Sequence, residues 1–407
     1  MDGYGVRLRQ SRERVGWSQL DLATRAGVSQ RTVQRVEAGH DPNVDTAAAL
    51  HAALVGRTPG LNFDMRILPV GATVGRVNRR EFMAVSAIVP ATLALRMIAH
   101  QPQGTTPLLD DALLDVWEAR TENFAAARAL EPPRLLLPQI EQHLMVLESL
   151  IDQHPGPERL AQRLWSIAAG TNAVAAWVSL MAEHRREMRD YLARGEALAR
   201  EAGDNDTLVL LLMLRSDLLS PVLLGGDGGF PEQAIRALDE AMALSSDMTP
   251  LTLRVPVILR AAEEHAFVGN AASALRLLEL GAEAQESSRI REHSLRRRWP
   301  AWSWSSYAGS AYNLLGRARD AIETLRDIRS PYPSHQPLLA ADLGAAHAQA
   351  GNLDEATRSL GEALRLAMEH GYPEAARRVQ GVRRRHLVRW SDEPRVRDLD
   401  EAISAIL

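Results

Sequence analysis

Cysteine is absent from the 407-residue chain, which removes disulfides, thiolate metal sites and cysteine nucleophiles together. Lysine is absent too: all 47 basic residues are arginine, a mark of GC-rich codon usage that carries no mechanism. Aromatic residues make up 5%, while Ala, Leu, Arg and Glu dominate, which favours packed helices over sheets. No apolar run reaches the roughly 18 residues of a membrane span, and the opening MDGYGVRLRQ is not a secretion signal. The expectation is an all-α, cytoplasmic protein with no membrane partner. Chemistry is also sparse. There is no phosphate-cradling Gly-rich loop, no His-Glu-x-x-His and no serine elbow. His184, His265, His293, His335, His347 and His370 are scattered, and the Glu263–Glu264 pair has no histidine at ligand spacing. No enzyme, catalytic residue, metal or cofactor is expected.

The length exceeds one ordinary domain, and 46% hydrophobic with 24% charged residues can bury real cores. The net charge of −4 means that any nucleic-acid contact must come from a local patch. Residues 1–56 divide by helix signals. Val6, Leu8 and Val15 with Arg7, Arg9, Arg12 and Arg14 form a basic helix that stops at Gly16. Ser18 is an N-cap with Asp21 three residues on, and Trp17 can staple onto Leu22. After Gly27 the pattern repeats, with Val28, Ser29 as N-cap, Val33 as staple partner and Gly39 beyond the last turn. Two short helices joined by a tight turn form a helix-turn-helix. On the last helix Val33 and Val36 face inward, which leaves Gln30, Arg31, Gln34 and Arg35 on the opposite stripe. Arg pairs bidentately with guanine and Gln with adenine in the major groove, so this stripe is the candidate base-reading surface.

SQLDLATRAGVSQRTVQRVEAG, with RLRQSRERVGWS before it, resembles the Cro/C1-type (XRE) helix-turn-helix family over about residues 4–55. The resemblance implies a double-stranded DNA operator as partner. It assigns a phosphate contact to Gln19, base contacts to Gln30, Arg31 and Arg35 with Gln34 beside them, and a structural ion pair to Arg12 and Glu37. The acidic and basic residues of this head nearly cancel, so affinity from phosphates alone would be modest and a homodimer is expected.

Residues 57–107 read as linker, with one helix at about 78–99. There NRREFMAVSAIVPATLALRMIA looks like a twin-arginine export signal through Arg79 and Arg80, but Phe82, Val85, Ile88 and Val89 recur at helical spacing and fit a packing helix. From 108 to 407, helical stretches alternate with short Gly, Pro or Asn breaks. Ala308, Gly309, Tyr312, Gly316, Ala321, Leu325 and Pro333 lie at tetratricopeptide spacing. Leu343, Gly344, His347, Gly351, Ala356, Leu360 and Ala363 restate the pattern, with Gly316 and Gly351 35 residues apart. Ala262, His265, Gly269, Ala274 and Leu278 form a weaker copy, and 185–204 and 228–244 keep only a second-helix half. This region resembles a tetratricopeptide-like α-solenoid of five or six helix pairs with a concave face.

The stretch RIREHSLRRRWPAWSWSSY offers Arg298, Trp304 and Tyr307 as groove-lining candidates; alternatively the tryptophans are core and the arginines a solvated rim. Asn172 and Asn313 sit in apolar helices, where a bound peptide backbone or a neighbouring helix end would satisfy the amide. The run 377–390 reads as the exposed face of a capping helix. The pairing of head and body is similar to the peptide-pheromone receptors of Gram-positive bacteria and to regulators of high-GC bacteria. That similarity implies a homodimeric transcription regulator responding to a peptide or small-molecule ligand. The rival reading is a DNA-recruited scaffold whose repeats dock a protein partner.

Overall fold

A computed structural model describes residues 4–40 except 15, 27 and 28, residue 50, and 109–407 except 154–157, 223–228, 246–248, 287–291 and 297–301. The expected linker of 57–107, its helix and Arg298 lie outside the described residues. Among the described residues the chain is all-α, with seventeen α-helices and no named strand. It divides into two compact units, residues 1–99 and 100–407.

In the first unit, α1 (Tyr4–Arg14), α2 (Gln19–Ala26) and α3 (Gln30–Glu37) pack around Leu8, Leu22, Ala23, Val33, Val36 and Leu50, with Trp17 and Ala26 against them. Each start has a local cause. Ser18 and Asp21 form a reciprocal capping box, the Ser18 N–H donating to Asp21 Oδ2 at 2.8 Å and the Asp21 N–H to Ser18 Oγ at 3.1 Å. Ser29 Oγ accepts from the Thr32 N–H at 3.1 Å and starts α3. Gly5 lets α1 lie directly on α3: a Cβ there would fall 2.0 Å from the Val36 carbonyl oxygen.

The second unit is a row of helix pairs. They are α4 (Asp111–Ala127) with α5 (Pro133–Gln153), α6 (Glu158–Met181) with α7 (Arg185–Ala202), and α8 (Asn205–Leu219) with α9 (Pro231–Leu244). There follow α10 (Leu251–Phe267) with α11 (Ala271–Glu286), α12 (Trp302–Leu314) with α13 (Ala318–Leu325), α14 (Gln336–Ala350) with α15 (Leu353–His370), and α16 (Pro373–His386) with α17 (Pro394–Ile406). The first helices of successive pairs stack on one another, and each second helix packs on the first helix of the next pair. Among the described residues seven pairs are therefore present where five or six were expected. The early first helices escaped because they are buried on nearly every side, and such a helix shows no amphipathic period. By length and composition α6 could cross a membrane, yet most of it is buried in the stack.

The repeat is visible in its contacts. A Cβ on Gly309 would come 2.4 Å from the Leu325 side chain, and one on Gly344 would come 2.7 Å from Leu360, so the missing side chain lets each helix pair close. The turns inside the pairs pass through Gly269, Gly316 and Gly351 in the left-handed region, with φ of 78°, 72° and 84°. In the α6–α7 turn that place is taken by Glu183, at φ 61°. A left-handed non-glycine residue costs roughly 1–2 kcal/mol. Its carboxylate accepts from Arg377 Nε at 2.8 Å, joining the second pair to the seventh. The α4–α5 turn is tied in similarly: the Tyr372 hydroxyl donates to the Glu131 carbonyl at 3.2 Å. The row thus curls until its ends touch.

Charged groups run along the first helices. Arg260, 3% exposed, donates to Asp217 at 2.8 Å, Glu263 at 2.7 Å and Glu264 at 2.6 Å. Arg378 holds Asp342 through two bonds of 2.7 and 2.9 Å and reaches Ser310 at 3.2 Å. The 377–390 run is a solvated face only in part: Arg384, Arg385 and Arg389 are exposed, but other arginines of the run are engaged. Arg377 and Arg378 turn inward to carboxylates, Arg383 pairs with Asp400, and α17 covers the end instead.

Gly309→Ala should lower the stability of the helical unit by about 1–3 kcal/mol through overpacking against Leu325, and adding Leu325→Ala should make the two effects non-additive. Thermal denaturation of the two single variants and the double variant measures both.

Candidate nucleic-acid interface

Helix α3 has two faces. Val33 and Val36 are buried, whereas Gln30, Arg31, Gln34 and Arg35 are all exposed on one stripe. This follows from eight helical residues between the Ser29 cap and Gly39, whose φ of 94° turns the chain away. Four side chains with amide and guanidinium donors project from one turn-and-a-half of helix, the arrangement that fits a major groove.

What fixes the angle of α3 is its last residue. Glu37 Oε1 accepts from Arg12 Nε at 2.7 Å and Oε2 from Arg12 Nη2 at 3.0 Å, a bidentate pair with side chains 9% and 4% exposed. The Arg12 Nη1 donates at 2.8 Å to the Trp17 carbonyl at the entrance to α2. The bonds to Glu37 raise the Arg12 pKa above its ordinary value against the opposing cost of burial. One carboxylate thus orients the helix that carries the exposed stripe.

Gln19 joins this node. Its Nε2 donates to Glu37 Oε2 at 2.7 Å, so one of its two amide hydrogens is used inside the head. The phosphate contact expected of Gln19 therefore depends on its other amide hydrogen and its N–H at the start of α2, which has no preceding helical turn to accept it. Neither sequence spacing nor propensity indicated this use, because Gln19 and Glu37 are brought together only by the packing of α2 on α3.

The ligand candidates of the second unit are dispersed. Asn172 is buried, and its Nδ2 donates to the Ala168 carbonyl of its own helix at 2.9 Å. Asn313 Nδ2 donates to the Asp342 carbonyl at 2.8 Å, and Trp304 Nε1 to the Leu278 carbonyl at 3.1 Å. Those three donors are taken up inside the helical stack, that of Asn172 by its own helix and that of Asn313 by a neighbouring helix, and they do not converge on a groove. Tyr307 is half-buried against the apolar core, and burial raises its hydroxyl pKa.

Comparison with protein families matches residues 8–54 to HTH_3, described as Helix-turn-helix. No curated protein matches the chain. The chain carries an XRE-type helix-turn-helix DNA-binding head.

Arg12→Ala should leave the buried Glu37 carboxylate without a counter-charge and with the Gln19 amide as its remaining donor, cost the head about 2–4 kcal/mol and reduce DNA binding with it. Calorimetric melting of the full chain, alongside a DNA titration of the same sample, checks the two effects together.

Proposed function

We propose that the protein is a sequence-specific transcription regulator that binds a double-stranded DNA operator as a homodimer, with the helical unit sensing a peptide or small-molecule signal. The observation that carries the DNA part is the exposure of Gln30, Arg31, Gln34 and Arg35 on a helix whose other face and last residue are locked into the head. Arg31 and Arg35 have the fork geometry for guanine edges, and Gln30 and Gln34 the amide geometry for adenine. Gln19 adds a phosphate contact that sets register without reading sequence. The head makes a dimer useful: a single short recognition helix reads a few base pairs, and two of them on one duplex multiply the specificity.

The sensing part is supported by construction. A stack of helix pairs whose second and seventh members are joined through Glu183 and Arg377 can exist in arrangements differing in that contact. A ligand that prefers one arrangement would shift the population, and operator affinity would shift with it if the dimer geometry differs between them. A cytoplasmic site of action fits this role.

Duplexes selected from a randomised pool by the full chain provide the test. Arg31→Ala and Arg35→Ala should each lose about 1–3 kcal/mol on the selected site and relax preference at particular positions. Gln19→Ala should weaken selected and unrelated duplexes by similar factors. Selection that enriches no sequence, or an Arg35→Ala affinity equal to that of the parent, would sink the assignment.

A further inference from the structure

Two arginines meet over one indole in the helical unit. The Arg128 guanidinium carbon lies 3.5 Å from the Trp177 ring centroid, and that of Arg296 lies 5.1 Å from the same centroid. All three side chains are half-buried. Arg128 follows the end of α4, where its Nη1 donates to the Ala125 carbonyl at 2.9 Å, and its buried Nε has no acceptor among the described residues. Arg260 and Arg378 are also buried but are held by carboxylates. Around Arg128 the neighbouring titratable groups are instead Arg296, Tyr332 and Tyr372.

The electrostatic consequence is legible in the pKa values. Burial first, then the like charge of Arg296, pull Arg128 down to about 9. Burial and then the two arginines pull His335 down to about 4, so its ring is neutral at physiological pH. Trp302 and Tyr332 pack edge-on against His335 at centroid distances of 5.4 and 5.7 Å. A half-buried guanidinium, stacked on an indole and repelled by another arginine, is stabilised by an anion, and a planar fork beside aromatic walls suits a carboxylate on an apolar body.

The contributing segments are far apart in sequence. Arg128 comes from the end of α4, Trp177 from α6, Arg296 from the segment before α12, and Tyr332 and His335 from the α13–α14 connection. Ser334 Oγ donates to the Ala129 carbonyl at 3.4 Å, bringing the first and last of these segments, the end of α4 and the α13–α14 connection, against each other. An anion on Arg128 would therefore bear on how the early and late pairs sit together.

We propose that the cluster of Arg128, Trp177, Arg296, Trp302, Tyr332 and His335 binds the carboxylate of a small apolar acid or of a short peptide's C-terminus, with Arg128 as the anchoring donor. This names the ligand chemistry of the sensing reading and rests on that reading for any effect at DNA, though not for binding itself.

Calorimetric titration of the full chain at constant ionic strength tests it with five probes: phenylacetate, phenylacetamide, a leucyl-phenylalanine dipeptide, its C-terminal amide, and inorganic phosphate. The expected result is binding of phenylacetate or the free dipeptide, with the matching amide at least about tenfold weaker, because a charge-assisted hydrogen bond is lost. Which of the two binds identifies the source of the carboxylate. Arg128→Gln should weaken that probe by a similar factor, and Arg128→Lys, which keeps the charge without the fork, by less. Arg194→Gln, at the Arg194–Glu148 surface pair, should leave it unchanged. Failure of both carboxylates to bind, equal binding of the amides, preference for phosphate, or unaltered affinity in both Arg128 variants would overturn the proposal. A carboxylate that binds through Arg128 without altering DNA affinity would leave this site standing and remove the sensing reading instead.

Discussion

The Glu37 carboxylate is the constraint on which the arrangement of the N-terminal helices depends. It terminates α3, and its two oxygens take three donors, two from Arg12 on α1 and one from Gln19 on α2. Apolar packing of Val33 and Val36 fixes which side of α3 is hidden, but packing alone leaves a short helix free to slide or rotate by a fraction of a turn. A directional, charge-assisted contact at its end removes that freedom. Gly5 acts in the same sense at the same end of α3, because its missing side chain sets how closely the backbone of α1 approaches Val36 and Glu37. The four outward polar side chains owe their common direction to these internal restraints.

The head was legible because its signals are local. A cap residue, a carboxylate three positions later and a glycine beyond the last turn each act within one helical turn, and the reciprocal Ser18–Asp21 bonds are the direct expression of that spacing. The use of Gln19 by Glu37 was not legible, since it depends on a contact between residues 18 apart in sequence. In the helical unit the same division holds. The later repeats announce themselves through glycines that the packing requires, Gly309 and Gly344 among them. The earlier ones bury α6 and α8 almost all round, so those helices lack the amphipathic period, and the α6–α7 turn carries Glu183 where the later turns carry glycine.

The polar residues inside the stack mark the limit of reading one strand of sequence. Asn172 and Asn313 were conspicuous because an amide in an apolar helix needs a partner, and each has one in a backbone carbonyl. Arg378 looked like part of a solvated basic run, but it is buried against Asp342. Burial of a charge depends on whether an opposite charge waits on the adjoining helix, and a periodicity argument has no access to that. Arg128 illustrates the converse case. Nothing in its sequence neighbourhood distinguishes it, and only the assembled stack sets it over Trp177 beside a second arginine.

The bond from Arg377 to Glu183 also bears on how this chain can change over evolutionary time. In an open array of helix pairs, duplicating or deleting one unit merely lengthens or shortens the rod, since each pair answers only to its neighbours. Here the tail returns to the second pair, so a unit inserted between them would carry Arg377 past Glu183 and leave that carboxylate with Arg185 alone. The number of pairs is consequently locked by geometry, and divergence among descendants should proceed by substitution within pairs and by loop growth rather than by gain or loss of repeats.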